Sequence, residues 1–551
     1  YARPYRARLA LSVLLLLAVA AGELLFPLLT RRGIDDHIRT GDLPGLAHLS
    51  LFYLGLLLVV FVLRYVQTVL MQATGQRITT DLRASLFSHL QTLDQGYFEK
   101  QPVGRIMTRL TGDVETLNEL FTSGLVSIFG DLITLFGIAG ILFWLDPRLA
   151  VIALLVVPPL LVVTLIFRAK VRAAYALIRV RIAALNAFLQ ETLAGIALVQ
   201  LFQRERVQNR KFEALNAAHR DAFLRSVTYY SIYFPVVELL ESVAIALILW
   251  AGGIASLHGA LTLGSLVAFI QYSERFFRPI RDLSERYNIL QGAMASSERI
   301  FELLDTKPRI VPPAPEREAA LLAPSADPAS PAIEFRDVRF GYVAGEEVLQ
   351  GLSFTVGRGE SVALVGHTGA GKSTVASLLL RFHDVHGGTV LVEGRDVREW
   401  DPGALRRRAA LVPQEVFLWS GGLRLNVELR GGRPAEAVDR ALRVTGLQGL
   451  ARRFQEEDAP IPAGPPSPAG GAGVGERGAR VSAGERQLIA IARALAADPP
   501  ILILDEATAN VDTETEQRIR TALRELLRGR TSLIIAHRLS TIRHADRILV
   551  L

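Results

Sequence analysis

The 551 residues contain no cysteine, so disulfide bonds and thiolate metal sites are excluded outright. Methionine stops at three and tryptophan at four. Lysine is nearly missing: Lys100, Lys170, Lys211, Lys307 and Lys372 are the only five among 61 basic residues, the arginine bias of a GC-rich genome. Long apolar runs are absent beyond about residue 300 and dominate before it, so a mean hydropathy of +0.30 with 21% charged residues averages a membrane half with a soluble α/β half. The net charge of +7 invites a nucleic-acid reading. Its distribution argues for membrane topology instead, and no nucleic-acid partner is expected.

A bilayer-spanning helix needs about 20 mostly apolar residues. Six stretches qualify: 9–29, 48–71, 120–145, 149–167, 229–256 and 262–287. The first lacks a small-residue cleavage site and reaches spanning length, so it reads as a retained span that ends at Pro27 rather than a signal peptide. Connections after spans one, three and five are short. Those after spans two and four, 73–118 and 168–227, are long, and the second carries eleven Lys/Arg including Arg168, Lys170, Arg204 and Lys211. Positive charge marks the cytoplasmic side, which puts both long loops and both termini inside. RITTDLRASLFSHLQTL and RIAALNAFLQETLAGIALVQLFQ keep apolar residues at helical spacing, so each loop reads as a helical hairpin reaching roughly 35 Å into the cytoplasm. A proline-rich stretch, 304–332, reads as an extended linker between a transmembrane domain, 1–303, and a soluble domain, 333–551.

The soluble half carries GHTGAGKST at Gly366–Thr374, between the apolar strand ESVALV and the helix VASLLLRF. This is a phosphate-binding loop in its strand–loop–helix setting: Gly366, His367, Thr368, Gly369, Ala370 and Gly371 form the cradle. Lys372 reaches the β/γ oxygens, Ser373 the Mg²⁺, and Thr374 completes the loop. ILILDEATAN is an apolar strand ending in two acids, Asp505 for the metal and Glu506 to take a proton from water. TSLIIAH delivers His537 toward the γ-phosphate. Tyr342 offers a ring to adenine, and Gln414 an amide to Mg²⁺ or the attacking water. ATP and Mg²⁺ are the implied cofactors.

The order GHTGAGKST, LVPQEV, GVGERG, VSAGERQ, LDEAT, VD and AHR resembles the nucleotide-binding domain of ABC proteins, and the six-span half resembles their exporter subfamily. YFEKQPVGRIMTRLTGDVETL and ETLAGIALVQLFQRE resemble its two cytoplasmic loops. The fold class implied is an all-α six-helix transmembrane domain plus an α/β P-loop ATPase. The resemblance also implies pairing of two halves, a second loop docked on the partner's ATPase domain, and further strands and a helix after Leu551. Ser482 and Gly484 would then reach an ATP held by the partner, with Glu485 beside it. Ala483 and Glu485 replace the usual glycine and glutamine, the pattern of heterodimeric TAP-like exporters with one degenerate site; this chain would be the half with the intact glutamate. The alternatives are a homodimeric exporter or lipid flippase and, third, an ATP-gated channel or regulator. Glu23, Arg64, Glu238, Glu241, Arg275 and Arg278 within the spans imply a cavity of both signs for amphipathic drugs, lipids or peptides. The Gly/Pro-rich stretch 459–478 is longer than the family's usual approach to GERG.

Overall fold

The computed structural model describes residues 3–313, 330–343, 345–367, 369–429, 434–454, 474–475, 478–505, 512–535 and 545–551. Side chains of 123, 125–127, 278 and 280–288 are outside that description. The chain divides into two units, one of Tyr1–Gln91 with Val103–Thr306 and one of Thr92–Pro102 with Lys307–Leu551.

The first unit is helical throughout. Its elements are α1 Arg6–Arg32, α2 Leu43–Thr92, and, beyond α3 Gln95–Lys100, which belongs to the second unit, the short α4 Val103–Thr108 and α5 Val114–Glu119. Then come α6 Leu125–Leu145, α7 Pro147–Leu154, α8 Val157–Ala194, α9 Ile196–Leu201, α10 Glu205–Leu257 and α11 Leu263–Asp305. At about 1.5 Å per residue, α2 alone is roughly 75 Å long, so the span and the arm that continues it are one continuous rod. The expected end of the first span at Pro27 is corrected: α1 runs through Pro27 to Arg32. A proline removes one backbone donor, and neighbouring helices tolerate that in a membrane.

Among the described residues, five segments are long and apolar enough to cross a membrane: Arg3–Ile38, Leu43–Thr92, Ile128–Leu145, Pro147–Ala194 and Glu205–Leu257. The sixth expected span lies on α11, much of whose middle is not described at side-chain level. Where helices touch, the buried side chains are large and apolar, including Ile138, Leu142, Ile248, Phe269 and Tyr272. Outward positions are equally apolar, with Phe61 64% and Phe136 75% exposed, which is a surface made for hydrocarbon.

Charged groups in the spans are brought together. Arg64 pairs with Glu23, and Arg275 donates to the Glu23 carbonyl at 2.6 Å. Asp35, in a π-helical turn Gly33–Ile38, accepts from Gly264 N–H at 2.8 Å and from the Thr262 hydroxyl at 2.5 Å. A Cβ at Gly264 would lie 2.4 Å from the Arg31 carbonyl oxygen, so only glycine lets α11 start this close to α1. A second π turn, Arg109–Asp113, presents Asp113 to Arg299, with contacts at 2.9 and 2.5 Å, and to the Ser296 hydroxyl at 3.0 Å.

The second unit holds two sheets. Strands β1 Ile333–Phe340, β2 Leu349–Val356, β4 Gly387–Val392 and β5 Arg395–Asp396 form an antiparallel sheet in the order β2-β1-β4-β5. Strands β3 Ser361–Val365, β6 Ala409–Val412, β7 Ile501–Asp505, β8 Thr531–Ile535 and β9 Arg547–Val550 form a parallel sheet in the order β6-β7-β8-β3-β9. The central strands are near-continuous runs of Ile, Leu and Val, as a parallel sheet covered on both faces requires. One apolar core joins the two sheets through Phe335, Val338, Leu364, Val390 and Ile503. Another lies around helix Ala483–Ala497, where Leu488, Ile489 and Ile491 are fully buried.

Candidate functional site

Parallel α/β sheets gather ligands at the carboxyl ends of their strands. Here β6, β7, β8 and β3 are successive neighbours. β6 leads to Gln414, which is exposed; β7 ends on Asp505, half-buried; and β3 leads into Gly366. β8 runs toward His537, and Glu506 directly follows β7. Glu506 and His537 lie outside the described residues, as do Thr368, the intermediate stretch 314–329 of the linker and most of 459–478.

The loop after β3 has the geometry of an anion cradle. Gly369 and Gly371 adopt φ of +90° and +89°, where a side chain is strained. A Cβ on Gly371 would in addition lie 2.7 Å from Leu349 Cδ2. Gly371 caps helix Lys372–Leu379. Lys372 is 5% exposed, and its ammonium donates to the carbonyls of Gly366 at 2.9 Å and His367 at 2.8 Å. The cation therefore sits in its own loop, next to the backbone donors of a helix start, a donor set suited to phosphate. Ser373 is exposed, while Thr374 is buried and its hydroxyl lies 3.2 Å from the Tyr342 hydroxyl. Tyr342 remains 42% exposed, and its ring meets Phe340 edge-on at 5.0 Å. A cavity of about 710 Å³ opens here, lined by Tyr342, Phe340, His383, Glu99 and Arg309 among others.

The VSAGERQ segment forms a capping box at the start of helix Ala483–Ala497. The Ser482 hydroxyl accepts from Glu485 N–H at 3.2 Å, and the Glu485 carboxylate accepts from Ser482 N–H at 2.8 Å. The acid that replaces glutamine is therefore turned back on its own helix end, where a negative charge is favoured. Gly484 is buried beneath it and Ala483 is exposed.

Three features escaped the sequence reading. Arg493 donates to the Asn426 carbonyl at 2.5 Å, the Asn426 side-chain oxygen at 3.0 Å and the Phe417 carbonyl at 2.8 Å. Burial pushes its guanidinium down to about 10, still a full cation at neutral pH. Asp94 caps α3 by accepting from Tyr97 N–H and also accepts from Arg309 N–H at 3.0 Å. Glu99 lies 3.4 Å from His383. No sequence signal pairs residues almost three hundred positions apart, although FHDVH, with two histidines around an acid, was there to be noticed.

Comparison with known proteins agrees across the chain. Residues 9–280 match the family model "ABC transporter transmembrane region", and 349–509 match "ABC transporter". The probable multidrug resistance ABC transporter ATP-binding/permease protein YheH of Bacillus subtilis is 38% identical over 93% of this chain and 73% of its own length. The ATP-dependent lipid A-core flippase of Syntrophus aciditrophicus is 33% identical over 100% and 88%. A solved structure of a bacterial Atm1-family ABC exporter with ATP bound superposes with a TM-score of 0.75, at 27% identity, covering 99% of this chain and 93% of that one. With a helical transmembrane region and an α/β ATPase domain fused in one polypeptide, the chain belongs to the ABC transporter family as a membrane exporter of the multidrug and lipid type, an ATPase coupled to transport.

Proposed function

We propose that this chain is the hydrolytic half of a heterodimeric exporter in the cell (inner) membrane, with its ATPase domain and both termini in the cytoplasm. Its own ATP lies on Gly366–Thr374, stacks on Tyr342 and holds Mg²⁺ with Ser373, Gln414 and Asp505. Glu506 draws the proton from the attacking water, with His537 at the γ-phosphate. Ser482 and Gly484 close over the ATP held by the partner, a second half-transporter with an LSGGQ-like signature and a replaced glutamate. In the partner's ATPase domain sits the tip of this chain's second loop, where Leu198, Leu201 and Phe202 are 61%, 73% and 67% exposed. The cargo is amphipathic: a drug, a lipid or a peptide.

The negative charge of Glu485 carries the asymmetric reading. It stands beside the partner's anionic nucleotide where a neutral glutamine is usual, and with the bulk of Ala483 it suits a site that holds ATP without turning it over. ATPase assays on the chain purified alone and on the pair test it: vigorous hydrolysis by the chain alone overturns the heterodimer. The homodimeric flippase reading is favoured by the lipid A-core flippase relatives. It predicts that vigorous hydrolysis.

A further inference from the structure

His383 follows helix Lys372–Leu379 on a turn that Arg381 fixes, donating to Asp384 at 3.0 Å and to the Trp400 carbonyl at 3.1 Å. Its side chain is 13% exposed. The imidazole meets the Tyr342 ring edge-on, with centroids 5.4 Å apart and planes at 88°. It also packs on Phe340 at 5.5 Å, and His386 reaches the same phenyl ring at 5.2 Å. Tyr342 is thus flanked by Phe340 and His383, while 42% of it stays open toward the cavity.

The opposite side of His383 faces α3. Glu99 Oε2 lies 3.4 Å from His383 Nε2, within ion-pair range but too poorly aligned to be a hydrogen bond. Gly96 brings the same helix against the ring, since a Cβ there would lie 3.4 Å from His383 Cε1. Asp94 anchors the start of α3 to Arg309 N–H. α3 belongs to the unit that contains the ATPase domain although its sequence lies within the first membrane loop.

We propose that His383 is a positioning residue for the nucleotide base: it holds the Tyr342 ring at its stacking angle, and Glu99 of α3 sets how firmly it does so. This rests on the reading of Tyr342 as the adenine platform. An edge-to-face ring pair contributes roughly a two- to tenfold change in affinity when removed. Because His383 touches no group of the phosphate loop in the contacts above, that change is confined to ligands that carry a base.

The test is equilibrium binding of ATP and of inorganic tripolyphosphate to the full-length complex in lipid nanodiscs, in a hydrolysis-silent Glu506→Gln background. His383→Ala weakens ATP roughly two- to tenfold and leaves tripolyphosphate within about twofold. His383→Phe restores the ring edge and the ATP affinity. Glu99→Gln weakens ATP when His383 is present and has no effect in the His383→Phe variant. Unchanged ATP binding in His383→Ala, or equal losses for both ligands, overturns the proposal. Tyr342→Ala separates the two levels: if it fails to weaken ATP relative to tripolyphosphate, the adenine-platform reading itself falls. If it does so while His383→Ala does not, only the role of His383 falls.

Discussion

The double substitution Ala483→Gly with Glu485→Gln converts VSAGERQ to the glycine-glutamine pattern, and its two consequences have separate sizes. The amide introduced by Glu485→Gln keeps an oxygen for the Ser482 N–H, so the box geometry survives, but the charge at the helix N-terminus goes, at a cost of about 0.3–1 kcal/mol. Glycine for the exposed Ala483 in the first helical turn costs up to about 1 kcal/mol. Together they remove about 1–2 kcal/mol, which in a domain of this size lowers its melting temperature by roughly 2–8 °C. Catalysis responds differently. If the segment covers a site without a base, steady-state hydrolysis by the purified pair changes less than about twofold. Melting followed by intrinsic fluorescence, alongside phosphate release, reads both. A higher melting temperature for Glu485→Gln alone would show that the carboxylate does not stabilise its helix. A several-fold rise in hydrolysis would refute the asymmetric pairing, since repair would then be acting on a competent site.

Glu506→Gln removes the general base while keeping its shape, so turnover by the pair falls by about two orders of magnitude or more with ATP binding intact; single-turnover phosphate release and nucleotide binding check it. A cysteine at Phe202 and another in the partner's ATPase domain near its glutamine loop form a disulfide between chains, read as a gel shift, and this chain contributes no cysteine of its own to compete. Arg299→Ala strands the buried Asp113 carboxylate; because Arg299 is half-exposed, the loss is about 1–2 kcal/mol rather than that of a fully buried pair, measured by melting in detergent. The hydrogen bond from Arg299 holds Asp113 below the usual carboxylate range. The stabilisation is therefore full above that range, near pH 4 and higher, and is lost as pH falls through the lower folded value; Asp113→Asn flattens the acid limb of the melting profile.

Much of this was legible in one dimension because strong local signals coincide with strong structural demands. The glycines of GHTGAGKST are needed at positive φ, and ILILD and TSLII are apolar because both faces of their strands are covered. The long loops read as helices because α2, α8 and α10 run on unbroken from the apolar spans into the loops. Pro27 misled because a proline ends helices in water, whereas α1 has neighbours that tolerate it. The orientation of Glu485 was illegible: S-x-x-E is a capping pattern, but its meaning was hidden beneath its resemblance to a nucleotide-contacting motif. Glu99, His383 and Arg493 were invisible for another reason. Their partners come from distant chain, and neither spacing nor composition records such meetings.

Arg493 has a mechanical meaning. One guanidinium clamps helix Ala483–Ala497 to the backbone at Phe417, three residues beyond Gln414, and to Asn426. Asn426 in turn grips Trp419 through both its amide groups, accepting at 2.8 Å and donating at 2.9 Å. The stretch after Gln414 and the helix that follows Ser482 are thus tied together through one guanidinium. A displacement of either would pull on the other through those bonds.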